Sequence, residues 1–332
     1  MNNNSSLETV LEIFLITSNR SACLDNTLKQ LKDSPFARCR FTVLDNCSTD
    51  ETPSIAAKYQ GEFPDYHVIR HPRNIGGNNN YLRAVELSRT LYTWILCDDD
   101  NYDFSRVSGV IEAIESCQYD IIFVGSRAPK HLAWEGFGGT TSSQLIGDGA
   151  RYHRALCFYP AMIFKSHQFD VECFINAAYM FPSILFINKS VRDDYSIYIA
   201  ESEIVIRYEG TAMEISPLYL YKEWVINAAK IKDVRLRENV IYQWTDEGFL
   251  KTLFFWVALE KTLKREGFLR RMIAIFFGYT VKQRLKLLLL VPVMLFPIPK
   301  SLLLRARELA YRLKGHKDLT KLSPVNIEQR QD

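Results

Sequence analysis

Strand-like and helix-like segments alternate along the first 130 residues, and this alternation restricts the possible folds more than any other feature of the sequence. Short apolar runs rich in β-branched or aromatic residues occupy 11–17, 41–44, 67–69, 92–97 and 120–124. Helical patterns of nine to eleven residues separate them, at 24–32, 51–59, 81–89 and 107–117. Strands that alternate with helices favour βαβ units, so we expect an α/β fold with a mostly parallel, doubly wound sheet.

The apolar strand at 92–97 runs directly into three consecutive aspartates, Asp98, Asp99 and Asp100. Alternate residues of an extended chain face the same side, so Asp98 and Asp100 are predicted to converge while Asp99 points away. Open α/β sheets bind ligands at the carboxyl ends of their strands, and two carboxylates there suit a hard cation such as Mn²⁺ or Mg²⁺. Such an ion would neutralise a leaving diphosphate. The alternative is a solvated acidic turn that caps the next helix.

Polar, turn-forming segments follow the other predicted strands at the same edge of the sheet: TSNR at 17–20, LDNCSTDET at 44–52 and HPRNIGGNNNYLRAVE at 71–86. Backbone groups of Thr17 and Ser18 are candidates to contact a nucleobase, and Asp45 is a candidate to accept a hydrogen bond from a base N–H. Gly76 and Gly77 would permit close approach of the backbone to a ligand. Helix caps and common turns explain any one segment equally well, but four such segments on one edge indicate a binding site.

Taken in order, four segments resemble the motifs of the family 2 glycosyltransferases, which have the GT-A fold: TSNR (17–20), DNCSTD (45–50), NIGGNNN (74–80) and DDD (98–100). The resemblance covers roughly residues 10–125, about a third of the chain. Beyond it, the segments 158–165 and 181–187 look similar to bacterial enzymes that build O-antigen or capsule repeat units. The resemblance implies a glycosyltransferase with a GT-A nucleotide-sugar-binding domain, a nucleotide-sugar donor and a bound Mn²⁺ or Mg²⁺.

The resemblance also implies roles for individual residues. In such enzymes the residue that matches Thr17 contacts the base region, and the acid that matches Asp45 reads the base. The residue that matches Asp98 lies near the ribose and the metal, and the one that matches Asp100 binds the metal. The full set expected to hold the donor is Thr17, Ser18, Arg20, Asp45, Asn80, Arg83 and Asp98, with Asp98 and Asp100 as the metal ligands.

An inverting glycosyltransferase also needs a carboxylate that takes the proton from the acceptor hydroxyl. Many family members carry this base in a Glu-Asp pair in the second half of the domain, but the stretch 172–186 contains no such pair. Asp193 and Asp194 are therefore candidates for the base, and a retaining or degenerate enzyme stays open. The alternatives are Asp148, Asp170 and Glu172.

The net charge of +3 conceals two parts of opposite charge. Residues 261–321 hold 15 Lys and Arg against three acids, a net charge of +12, so the remainder carries −9. Basic and apolar residues are paired at 264–296 and 301–315, which is typical of amphipathic helices in a membrane interface. We expect a helical, basic C-terminal extension on an anionic membrane surface; helices packed on the catalytic domain are the alternative. Few aromatic residues stand in this region, which argues against nucleic acid.

Seven cysteines without a Cys-x-x-Cys pair indicate reduced thiols in the cytoplasm. The N-terminal segment lacks the features of a secretory signal, and the apolar run at 285–299 holds Lys286 and three prolines, too short to span a bilayer. The predicted protein is thus peripheral on the inner face of the cell membrane.

The predicted domains are a catalytic domain at 8–215, with a nucleotide-binding half at 8–126 and an acceptor half at 127–215, and a helical region at 216–320. The predicted activity is transfer of a sugar to a polyprenol-linked glycan in surface polysaccharide synthesis. A sugar nucleotidyltransferase would need a Gly-rich phosphate loop, which the segment TSNR lacks. A membrane-bound scaffold with a degenerate site is the remaining alternative.

Overall fold

The structure is a computed structural model of the 332-residue chain. It describes residues 6–127, 138–144, 159–168, 193–201, 203–206 and 268–278, and the single residues 222, 226, 229, 234, 237, 238, 257, 284, 288, 299, 301 and 305. The chain divides into two compact units, one of Met1–Thr211 with Ile231–Leu236 and the other of Ala212–Lys230 with Arg237–Asp332. All candidate site residues named above fall in the first unit.

The first unit alternates strands and helices as the sequence predicts. Its strands are β1 (Leu11–Thr17), β2 (Arg40–Asp45), β3 (Tyr66–Arg70), β4 (Tyr92–Cys97), β5 (Asn101–Tyr102), β6 (Ile121–Phe123), β7 (Ser126–Arg127), β8 (Gly138–Thr141), β9 (Met162–Lys165), β10 (Ser196–Ile199) and β11 (Val205–Ile206). Its described helices are α1 (Leu7–Val10), α2 (Ser21–Lys32), α3 (Thr52–Lys58), α4 (Gly77–Leu87) and α5 (Ser108–Glu115). Two 3₁₀ turns, Tyr159–Ala161 and Ser166–Gln168, flank β9.

Eight strands form the main sheet in the order β3-β2-β1-β4-β9-β6-β10-β8. Strands β1 to β4, β6 and β10 run parallel, whereas β9 and β8 run antiparallel to their neighbours. The chain leaves β1 toward β2 and β3 and then returns to the other side of β1 with β4. This reversal opens a crevice at the carboxyl ends of β1 and β4. A mixed α/β fold with a mostly parallel, doubly wound sheet is therefore confirmed. A second sheet has the order β5-β11-β7.

The central strands β1 and β4 are buried on both faces, which is why they read as nearly continuous apolar runs. Trp94 is fully buried in β4, packs edge-on against Phe36 and donates a hydrogen bond from Nε1 to the carbonyl of Pro160 at 2.8 Å. The hydrogen bond ties β4 to the turn before β9. The core thereby fixes the strand that leads into Asp98, Asp99 and Asp100, the acidic turn.

One buried carboxylate in this core stabilises the fold and lies away from the crevice. Glu12, near the amino end of β1, accepts hydrogen bonds from Arg40 Nε at 3.0 Å and from the Arg89 backbone N–H at 2.8 Å. A buried charge is tolerated when it is paired and hydrogen-bonded. Because β1 is seven residues long, Glu12 stands at the opposite end of the strand from the crevice.

In the second unit, helix α6 (Phe268–Gly278) has apolar residues on two sides. Met272 and Ile275 are buried, whereas Leu269, Ile273 and Phe277 are 62%, 50% and 65% exposed. Among the residues that the structure describes, no helix has both the length and the apolar character needed to cross a membrane.

Candidate functional site

The carboxyl ends of β3, β2, β1 and β4 bring four polar side chains into one row across the sheet. The strand pairing sets Arg70 beside Asp45 and Asp45 beside Thr17. The register between β1 and β4 brings Asp98 next to Thr17. This row lies at the reversal of the strand order, where open α/β sheets bind their ligands.

The loops after β1 and β2 are joined by hydrogen bonds between their motif residues. The Asn19 backbone N–H donates to Ser48 Oγ at 2.8 Å, and Asn19 Oδ1 accepts from the Thr49 N–H at 2.7 Å. The Ser21 N–H donates to Asp50 Oδ2 at 3.1 Å. Asn19 adopts a φ of 52°, a left-handed conformation that Asn tolerates better than most residues. Much of the two motifs therefore holds the loop after β1 against the loop after β2.

Asp98 is buried at the end of β4, and both of its carboxylate oxygens accept hydrogen bonds. Oδ2 accepts from Thr17 Oγ1 at 2.5 Å, and Oδ1 accepts from Arg20 Nη1 at 3.2 Å. Burial raises the pKa of Asp98 to about 6, while the bonds from Thr17 and the charge of Arg20 act in the opposite direction. Thr27 Oγ1 donates to the Asp98 carbonyl at 2.9 Å and holds the turn in place.

The structure groups Asp99, rather than Asp98, with Asp100. Ligand atoms of Cys97, Asp99 and Asp100 all lie within 4.8 Å of one another. The expectation that Asp99 points away is wrong, because the strand ends at Cys97 and the chain turns at Asp98 and Asp99, so strand alternation no longer applies. Asp98 as a metal ligand stays a prediction.

The donor set at the acidic turn fits a hard divalent cation. Two carboxylates, from Asp99 and Asp100, are the oxygen ligands that Mg²⁺ and Mn²⁺ take. Burial, together with the nearby acids, raises the pKa of the Cys97 thiol well above its ordinary value, which favours the protonated form of this sulfur. Asp99 and Asp100 would hold such an ion, with the remaining positions open to water and phosphate oxygens.

Asp45 presents a buried carboxylate at the end of β2. Its Oδ1 accepts a hydrogen bond from the Ser48 backbone N–H at 2.9 Å. Arg70 Nε lies 3.2 Å from Oδ2, but no donor among the described residues forms a hydrogen bond with this oxygen. A buried acceptor needs a donor partner, and the N–H of a nucleobase would supply one. Arg70 was not predicted from the sequence, where its signal is its position as the last residue of β3.

Other predicted donor-binding residues lie around the same edge in structural roles. Asn80 is buried, donates from Nδ2 to the Leu44 carbonyl at 3.2 Å and lies 2.9 Å from His71 Nε2 through Oδ1. It thereby fastens α4 to the end of β2. Arg83 forms a salt bridge with Glu86 on the same helix, at 2.6 Å. Donor contacts of Asn80, Arg83 and the half-buried Ser18 stay predictions.

Asn46 and Asn74, which sequence reasoning missed, join the loop after β2 to the loop after β3. Asn46 Nδ2 donates to Asn74 Oδ1 at 2.9 Å, and Asn46 Oδ1 accepts from the Ile75 N–H at 2.9 Å. Asn74 Oδ1 also accepts from the Gly76 N–H at 2.8 Å. Gly76 has a φ of 82° before α4, which glycine adopts without strain. The sequence signal for these two residues is that each is an asparagine within a motif, Asn46 in DNCSTD and Asn74 in NIGGNNN.

Asp193 and Asp194 lie at the opposite edge of the sheet from the acidic turn. They precede β10, which runs parallel to β6 and hence to β4. The register places them about eight residues, or about 26 Å, from Asp98 along the strands. Asp194 Oδ1 instead accepts a hydrogen bond from the Ser143 N–H at 2.8 Å. The role of either residue as the base stays a prediction. The alternatives lie outside the described residues: Asp148, Asp170 and Glu172.

The sequence and the fold both have counterparts among known proteins. A sequence model of the family described as Glycosyl transferase family 2 matches residues 12–183, which is more than half of the chain. No curated protein matches the chain with statistical significance.

Several solved glycosyltransferase structures share the fold. Residues 1–349 of TarS from S. aureus, in complex with UDP, have 15% identity and a TM-score of 0.56, with 93% of each chain covered. The complex of the same fragment with UDP-GlcNAc has 15% identity, a TM-score of 0.56 and coverage of 81% of this chain and 80% of that one. The mannosyltransferase PcManGT from Pyrobaculum calidifontis, in complex with GDP-Man and Mn²⁺, has 12% identity, a TM-score of 0.50 and coverage of 86% and 80%. The predicted GT-A architecture is confirmed.

Proposed function

Since the chain belongs to glycosyl transferase family 2 and is a sugar transferase, we propose that it moves a sugar from a nucleoside diphosphate sugar to a lipid-linked glycan. The acceptor is a polyprenol-linked intermediate of bacterial surface polysaccharide synthesis, such as O-antigen. Asp45 reads the base, Asp98 lies near the ribose, and Asp100 with Asp99 holds Mn²⁺ or Mg²⁺.

The observation that carries this proposal is the row of side chains from Asp45 through Thr17 to Asp98. It crosses three neighbouring strands and so spans about 10 Å, a distance that a nucleoside bridges. Asp45 offers a buried acceptor at one end, and the acidic turn offers carboxylates at the other. A base and a diphosphate of one donor would occupy the two ends together.

Different residues of this chain would carry out different parts of the sugar transfer. Asp45 and the backbone of the loop after β1 would orient the nucleoside. The buried Asp98 would accept hydrogen bonds from the ribose hydroxyls. A divalent cation bound at Asp99 and Asp100 would offset the negative charge that develops on the departing diphosphate. The nucleotide-sugar and Mn²⁺ complexes of the structural neighbours support this donor class and this metal class.

Metal-dependent binding of a nucleotide sugar tests the donor proposal. UDP-, GDP-, CDP- and dTDP-sugars are compared by thermal unfolding of the full chain, each with and without Mn²⁺. A donor at 100 times its Kd adds about 2.7 kcal/mol to the free energy of unfolding. We expect at least one donor to raise the melting temperature with Mn²⁺ and to do so much less without it. Failure of every donor under both conditions would contradict the proposal.

Placement at the membrane is proposed from the second unit. Leu269, Ile273 and Phe277 form an exposed stripe on α6, one turn apart. The Arg284 guanidinium lies over the Phe277 ring at 5.8 Å, and the surrounding residues 261–321 carry +12. Apolar side chains with cations beside them suit the interface of an anionic bilayer. The protein would then sit peripherally on the cytoplasmic face, where a polyprenol-linked acceptor is presented.

The stripe predicts a specific loss of membrane binding. We expect the triple change Leu269→Ser, Ile273→Ser and Phe277→Ser to weaken binding to vesicles with anionic lipid at least tenfold, because it removes the apolar side chains that would enter the bilayer. Vesicle co-sedimentation measures this, with Val68→Ser, an exposed apolar residue on β3, as the control. Unchanged binding by the triple variant would show that the stripe does not face lipid. A natural protein that is dimeric in light scattering beside a monomeric triple variant would show the same.

A further inference from the structure

Arg20 connects the loop after β1 to the acidic turn. It precedes α2 directly, and its backbone N–H donates to Thr52 Oγ1 at 3.0 Å. The guanidinium Nη1 lies 2.6 Å from Asp99 Oδ2 and 3.2 Å from Asp98 Oδ1. The side chain is 43% exposed, so it has room to move while its backbone stays anchored.

The two carboxylates that Arg20 contacts differ in how firmly they are held. Asp98 is buried, and its second oxygen accepts the 2.5 Å hydrogen bond from Thr17. Asp99 is more exposed, with 19% of its side chain accessible, and its carboxylate belongs to the cluster with Asp100. Asp98 would therefore keep its position without Arg20, whereas Asp99 is able to exchange one cationic partner for another.

A guanidinium and a divalent cation compete for the Asp99 carboxylate. The Arg20 nitrogen is within direct bonding distance of an Asp99 oxygen, while the ligand atoms of Asp99 and Asp100 lie within 4.8 Å of one another. A cation bound at Asp99 would lie close to the guanidinium, and two positive charges so near each other repel strongly where the surroundings are partly dehydrated. Entry of a cation between Asp99 and Asp100 would therefore favour departure of the guanidinium from Asp99.

We propose that Arg20 is a positioning residue that occupies Asp99 in the free protein and releases it to the entering cation. This inference rests on the proposed function, because it assumes that the cation binds at Asp99 and Asp100. Arg20 thereby preserves the shape of the acidic turn and lowers the affinity of the free protein for metal. Metal is then held weakly until a donor supplies further ligands.

Titration of the full chain with Mn²⁺ alone, followed by the electron paramagnetic resonance signal of the free ion, tests the proposal. We expect Arg20→Met to bind Mn²⁺ roughly tenfold more tightly than the natural protein, because a competing positive charge has been removed. Arg20→Lys keeps the charge and is expected to restore weak binding. Arg38→Met removes an exposed arginine that pairs with Glu8 and is expected to leave the Kd unchanged.

The direction of the change in Mn²⁺ affinity distinguishes competition between Arg20 and the cation from a purely structural role of Arg20. Weaker or unchanged Mn²⁺ binding by Arg20→Met, with thermal unfolding showing a folded variant, would overturn the inference. If the nucleotide-sugar stabilisation still required Mn²⁺, the proposed function would stand while the inference failed. If Asp100→Asn bound Mn²⁺ as tightly as the natural protein, Asp100 would not be a metal ligand. That result would overturn both the inference and the proposed function.

Discussion

Replacing Asp100 with asparagine is expected to lower the rate of sugar transfer by about 10³-fold or more. The change removes one of the two carboxylates that would hold the divalent cation, and such an ion contributes several kcal/mol to stabilising the charge of a leaving group. Asp100 is buried beside Asp98 and Asp99, so loss of one negative charge is not expected to reduce the stability of the fold. Release of nucleoside diphosphate, measured with the donor that the thermal comparison identifies, gives the rate.

Asp103→Asn is the matched control for this change. Asp103 stands three residues later on an exposed turn, where Oδ1 accepts hydrogen bonds from the Ser105 N–H at 3.0 Å and from Ser105 Oγ at 2.6 Å. Its replacement is expected to leave the rate within a few-fold of that of the natural protein. A rate for Asp100→Asn close to that of Asp103→Asn, at saturating Mn²⁺, would contradict a metal role for Asp100.

Replacing Asp45 with asparagine is expected to weaken binding of the natural nucleotide roughly 10- to 100-fold, the range for a lost hydrogen bond to a charged group. The Ser48 N–H donates to Oδ1, so the amide of the variant must place its oxygen there and its NH₂ at the position of Oδ2. A donor would then face the N–H of the base. The variant should therefore discriminate less against cytosine, which presents an acceptor at its N3 position.

Calorimetric titration with UDP, GDP and CDP measures this change in preference. Asp65→Asn, which alters an exposed carboxylate paired with Arg40 at 3.3 Å, is the control and is expected to keep the natural order of affinities. Thermal unfolding checks that loss of the Asp45–Arg70 pair has not unfolded the variant. If Asp45→Asn bound all three nucleotides with the affinities of the natural protein, Asp45 would not read the base.

Within the candidate site, the sequence predicts which segments meet but not what each side chain does. The motif residues Thr17, Asp45 and Asp98 reach one edge because parallel strands end together there. Their neighbours Ser48 and Asp50 have the same polar character in the sequence, yet they accept hydrogen bonds from the adjoining loop. A motif does not distinguish ligand contacts from scaffold contacts, because both demand the same hydrogen-bonding groups.

The acidic turn shows a second limit of local reasoning. Strand periodicity correctly places an apolar strand at Tyr92–Cys97, but the alternation of faces does not continue beyond its last residue. Because the chain turns at Asp98, the alternation that paired Asp98 with Asp100 is lost, and Asp99 joins Asp100 instead. Asp98 accepts hydrogen bonds from Thr17 and Arg20, which lie 81 and 78 positions away in the sequence.

The sequence by itself determined the alternation of strands and helices, the parallel sheet and the edge at which its polar segments gather, because these follow from the period of apolar residues and from the short range of turn chemistry. Only the tertiary structure decided the order of the strands and their register. Strand order and register place Arg70 beside Asp45 and bring Arg20 into contact with the acidic turn. They also place Asp193 and Asp194 at the opposite edge of the sheet. Strand order and pairing arise from contacts between distant segments, so no local pattern in the chain records them.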